Sequence, residues 1–139
     1  MHASLTQRGT LTMIGASALV AAGTAMLPGP FPAVAWGLAA AFGVVVGVLQ
    51  TRALRAAPRA FLAAESTVEV REALMSSSSG RMAVALQWVL LPILLAVAWR
   101  SGSVVAGALG GYAVFMGVRD AVALRALVAL ASTPGVAEG

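Results

Sequence analysis

Four stretches of this chain carry no charged side chain: Gly9 to Leu27, Phe31 to Gln50, Met82 to Trp99 and Val104 to Val118. A hydrocarbon core about 30 Å thick is crossed by about 17 to 25 apolar residues at 1.5 Å each, so the first three of these stretches are of transmembrane length. In 139 residues they leave little from which to build a water-soluble domain. Charged residues make up 10% of the chain, against about 25% in soluble domains. The mean hydropathy is +0.92. The fold class that follows is all-α: one integral membrane domain over 1–139, a four-helix bundle made of two antiparallel transmembrane hairpins.

The punctuation between the stretches sets the hairpins. "PGPFP", from Pro28 to Pro32, breaks a helix and makes a tight turn. The serine run and glycine at Ser76 to Gly80 precede the third stretch, and "SGS" at Ser101 to Ser103 separates it from the fourth. The expected spans are 9–27, 31–50, 82–99 and 104–118. The last is short, but extendable into "AVALRALVALA". Between the hairpins lies a charged linker, 51–81, and an amphipathic tail, 119–139, follows.

Arginine placement orients the spans. The turn at Leu27 to Phe31 has no arginine and the turn after Trp99 has Arg100 alone. Arg8, Arg52, Arg55, Arg59, Arg71, Arg81, Arg119 and Arg125 lie at the opposite ends. By the positive-inside rule both termini, the linker and the tail are cytoplasmic, in a multi-pass protein of the bacterial inner membrane. Arg8, the apolar run after it and "AAGTA" also describe a signal peptide, but a retained anchor is the preferred reading.

Helices in lipid associate through close packing of small residues. Span two offers Gly43 and Gly47, span four Gly107 and Gly111, and span one Gly15, Ala18, Ala22 and Ala25. These faces pack the four helices on one another or dock a partner's transmembrane helix. Pro92 removes the hydrogen bond to the Trp88 carbonyl and should bend span three. Gln87 beside it satisfies a neighbouring backbone group or lines a polar path.

Several kinds of chemistry are excluded. Without cysteine there is no disulfide, thiolate metal site or redox pair. The one histidine, His2, is near the N-terminus, so no histidine-based acid–base pair or metal cluster forms. No ionisable residue falls in the centre of a span, where proton and ion pathways place them. "GALGG" lacks the lysine of a phosphate loop, and Ser76 to Ser79 read as a helix cap or loop. No enzymatic activity, metal, cofactor or nucleic acid is expected.

Eight of the fourteen charged residues fall between Thr51 and Arg81. Arg52, Arg55 and Arg59 share one face if span two extends as a helix, with Pro58 limiting that extension. Glu65, Glu69 and Glu72 likewise fall at helical spacing with the sign reversed, among Leu62, Val70, Leu74 and Met75. The stripes pair with each other, or the arginines meet anionic lipid headgroups while the glutamates face a protein. Arg119 and Asp120, where span four ends, join this cytoplasmic charge layer.

An arginine before span one, the Pro/Phe turn with "FPAVAWGLAAAFGVVVG", the exit "QTRALR" and a charged linker before an apolar hairpin resemble the ATP synthase protein I family. The likeness covers most of the chain. "REALM" (Arg71 to Met75) and "SGRMA" (Ser79 to Ala83) stand nearest to the family's stretch entering span three, with Glu72 and Arg81 at the matching positions. The resemblance implies a non-catalytic accessory protein that assembles or stabilises the rotor ring. It also implies a proposed role in divalent cation uptake, which the lack of carboxylates within the spans disfavours.

The expected function is therefore binding. The glycine faces meet partner helices, including those of the ATP synthase membrane sector, and the Arg/Glu layer meets lipid or protein. The alternatives are a small channel or transporter formed as a homo-oligomer, lined by Gln50, Gln87 and Tyr112, and a supernumerary subunit of another bioenergetic complex.

Overall fold

The structure is a computed structural model that describes residues 5–132. His2 and the tail from 133 onward lie outside the described residues. The chain is helical, with no strand among the described residues: α1 Leu5–Ala25, α2 Ala33–Ala56, α3 Pro58–Ala63, α4 Thr67–Met75, α5 Ser78–Arg100, a π-helical turn Val105–Leu109 and α6 Gly110–Ala131. Two of these, α2 and α5, are long and apolar enough to cross a membrane.

Local chemistry explains the boundaries. After α1 the chain turns through Pro28, Gly29 and Pro30, with Gly29 at φ +120°, where a side chain would be strained. Pro32 then stands immediately before α2. After α5, Gly102 at φ +71° donates its N–H to the Trp99 carbonyl and Ser103 donates to Ala98, which closes the helix in a Schellman motif. The Ser103 hydroxyl donates to the Pro30 carbonyl at 2.9 Å, so the two turns are tied at one end of the molecule. The indole N–H of Trp36 donates to the Ala106 carbonyl at 2.9 Å. That carbonyl lies in the π-helical turn, where the regular α-helical pairing is interrupted.

Among the four long helices, α6 lies between α1 and α2, and α2 lies between α6 and α5. The core is built largely from small residues: Ala35, Ala39, Val46, Ala83, Leu90, Leu94 and Phe115 are almost wholly buried. The α1 face turned to α6 carries the buried Ser17 and Thr24, and the Thr24 hydroxyl returns to the Ala21 carbonyl at 2.9 Å. The opposite face of α1 is exposed, with Leu19 at 77%.

The charged segment 51–81 is helical over most of its length. The α2 helix runs past Gln50 to Ala56, and α3 begins at Pro58, the residue that cannot continue it. Ser66 caps α4 by accepting the Glu69 N–H at 3.2 Å, and the Glu69 carboxylate reaches back to the Glu65 N–H at 2.7 Å. Ser77 caps α5 by accepting from Gly80 at 3.1 Å. Phe61, Val70, Ala73 and Leu74 then close over Leu54 of α2 and Ala126 and Leu127 of α6, making a second small core. Met75 is exposed, and the Leu62 side chain lies outside the described part.

Candidate functional site

Gln87 lies on α5 in otherwise apolar company, and its amide finds partners on α6. Its Nε2 donates to the Tyr112 hydroxyl at 2.9 Å, and its Oε1 accepts from Arg119 Nη1 at 2.8 Å. The Arg119 Nε donates to Asp120 Oδ1 at 3.0 Å. The guanidinium also sits 5.6 Å from the centre of the Phe115 ring, within cation–π range. A chain of polar groups therefore runs Tyr112, Gln87, Arg119, Asp120 between two helices. Its charges cancel, and no buried side-chain polar atom among the described residues lacks a partner.

Arg119 and Asp120 depart from the expected charge layer. Both are largely buried, and α6 continues through them to Ala131. The reason is chemical: an amide on an apolar helix needs a partner with reach, and arginine has three methylenes and a planar donor fork. Nor does Gln87 serve the Trp88 carbonyl above Pro92, because both ends of its amide are engaged across the helix pair. The unpaired amide in "ALQWV" was the sequence signal that something polar had to come from elsewhere.

On the other side of Arg119 and Asp120 lies a cavity of about 280 Å³ between α1, α2, α6 and the α3–α4 segment. Gln50, Arg119 and Asp120 supply polar groups, and Met13, Leu54 and Phe61 are among its apolar lining. Gln50 thus opens on the cavity while Gln87 and Tyr112 bond each other. The hydrogen bonds of Gln87 with Tyr112 and Arg119 hold α5 and α6 together. No cluster of potential metal ligands occurs among the described residues.

The four glycines of the expected partner faces are filled from within the chain. A Cβ on Gly43 would stand 2.9 Å from the Phe115 carbonyl oxygen and from Val118, and one on Gly47 would stand 2.7 Å from Val122. Gly107 similarly faces Ala98, and Gly111 faces Leu94. On α1, by contrast, a methyl added at Gly15 would have nothing within 4 Å, and Ala18, Ala22 and Ala25 are exposed.

The two charged stripes do not pair. Arg119 with Asp120 is the one ion pair among the described residues. Arg52 and Arg55 are on α2, but Arg59 has passed to α3 and leaves their helix. Glu69 is engaged in the cap, whereas Glu65 and Glu72 are exposed. Glu72 on α4 and Arg81 on α5, the positions matched to the ATP synthase protein I family, are both exposed and form no ion pair with each other. Comparison with family models, curated proteins and solved structures finds no match for this chain.

Proposed function

We propose that this chain is a multi-pass protein of the bacterial inner membrane, a four-helix bundle of two hairpins, whose work is non-catalytic binding of partner transmembrane helices. The observation that carries the membrane reading is the low burial of its most apolar helices. Only 28% of the apolar window of α2 and 22% of that of α5 is buried. Core helices of a water-soluble protein are mostly covered, and apolar surface left open on this scale marks a lipid or protein contact. Trp88, Trp99, Leu19 and Val34 add to that outer surface.

With Gly43, Gly47, Gly107 and Gly111 occupied internally, the expected small-residue face left open to a partner helix is that of α1 around Gly15, Ala18 and Ala22, and Gly37 of α2, between the exposed Ala33 and Ala41, is open as well. The family resemblance supports the ATP synthase membrane sector as the partner, with rotor-ring assembly or stability as the role. Pull-down from gently solubilised membranes with mass spectrometry tests it. Recovery of ATP synthase membrane subunits, lost in Gly15→Leu with Ala22→Leu, supports this reading. Recovery of another complex keeps the accessory role and removes the family.

The cavity beside Gln50, Arg119 and Asp120 favours a second reading, a small oligomeric channel or transporter. Recovery of the chain alone as a homo-oligomer, with flux into proteoliposomes lost in Gln50→Leu, would place that reading first.

A further inference from the structure

The close approach of α2 to α6 has an electrostatic consequence one turn beyond Gly47. Where Val122 and the Arg119 carbonyl press against Gly47, the two backbones are held together. Arg52 and Arg55 of α2 and Arg125 of α6 then line a single cleft, together with Thr51, Val48 and Val122. No acidic residue among the described residues lines it. None of the three guanidiniums has an ion-pair or hydrogen-bond partner among the described residues. Arg59, which the spacing grouped with Arg52 and Arg55, is absent from this cleft, and Arg125 takes its place from a helix far along the chain.

Like charges gathered on one cleft repel, and the glycine packing that gathers them works against that repulsion. An anion in the cleft reverses the sign of the interaction. Guanidinium forks match phosphate oxygens in pairs, and basic pockets between membrane helices recognise phospholipid headgroups in this way. The valines suit an anion attached to apolar chain.

We propose that the cleft formed by Arg52, Arg55 and Arg125 is a phosphate-binding site, filled by an anionic phospholipid headgroup or by a soluble phosphate ester. The lipid source rests on the membrane reading; the phosphate chemistry does not, and neither depends on the partner reading.

The test titrates cardiolipin, phosphatidylcholine and inorganic phosphate separately into the full chain in an uncharged maltoside detergent. Binding is read by native mass spectrometry and by the thermal unfolding midpoint. Cardiolipin is expected to bind and raise the midpoint, with Arg125→Gln weakening it about five-fold, the equivalent of about 1 kcal/mol. Arg55→Gln with Arg125→Gln should remove the binding. Without lipid, Arg125→Gln should unfold no earlier than the parent, because it relieves repulsion, and this shows that the variant folds. Inorganic phosphate binding as tightly as cardiolipin, with the same loss in Arg125→Gln, supports the site and assigns it a soluble phosphate. The proposal is overturned if phosphatidylcholine binds as well as cardiolipin, if Arg71→Gln on α4 weakens binding as much as Arg125→Gln, or if neither phosphate source binds.

Discussion

Glycine has two different meanings in this chain, and substitution separates them. Gly47→Ala places a methyl 2.7 Å from Val122 and 3.0 Å from the Arg119 carbonyl oxygen, so α2 and α6 must part. Overpacking of this kind costs about 1–3 kcal/mol. Gly15→Ala meets open space and should leave stability unchanged or raise it by up to about 1 kcal/mol, the helix propensity difference. Circular dichroism during heating of the two variants checks the contrast; equal melting would mean that Gly47 is not a contact. Gln87→Leu should lower stability by about 1–3 kcal/mol, because Tyr112 and Arg119 lose their shared partner. Recovery of partners by that variant should be unchanged, which separates a packing role from a transport role. The small-residue spacing was legible residue by residue, but which glycines are covered was not. That depends on which helix lies opposite.

Among the elements, α4 shows how a charged stripe can mislead. Glu65, Glu69 and Glu72 have the period of a helix face, yet Glu69 is used in the cap with Ser66. Ser66→Ala should therefore cost about 1 kcal/mol locally. Hydrogen exchange would show faster exchange over 67–75 and unchanged protection in α5; equal loosening of both would mean that the cap supports the whole molecule. The same observation advises which glutamate to reverse in a docking test. Glu72→Arg leaves the cap intact, whereas Glu69→Arg would disturb it. The Ser-x-x-Glu signature at Ser66 to Glu69 was present in the sequence, and the proline at 58 announced the end of α2. The packing of Phe61, Val70 and Leu74 on α6 was not visible, since it joins residues far apart in the chain.

For the molecule taken together, the proposed membrane orientation has a clean assay because the chain contains no cysteine. Ser101→Cys sits at the end where the two turns are tied, and Thr67→Cys begins α4 at the other. An impermeant maleimide applied to intact spheroplasts should label Ser101→Cys and spare Thr67→Cys until the membrane is broken. The opposite pattern would invert the orientation, and equal labelling would remove the membrane reading. Brominated lipids should quench the exposed Trp88 and Trp99 more than Trp36, whose ring edge meets Phe31 and whose N–H is bonded to Ala106.

That the chain is helical, and where it must break, could be read along the sequence without any neighbour. Those properties are local: proline lacks the N–H, Gly29 and Gly102 accept backbone angles that other residues resist, and long uncharged runs specify helices of a given length. Packing in three dimensions was needed to turn Arg119 inward to Gln87, to set Arg125 in place of Arg59 beside Arg52 and Arg55, and to fill the glycine faces of α2 with α6. Each of these depends on which helix stands next to which. Residues separated by thirty or more positions meet there through packing, and neither period nor composition along one segment encodes the neighbour.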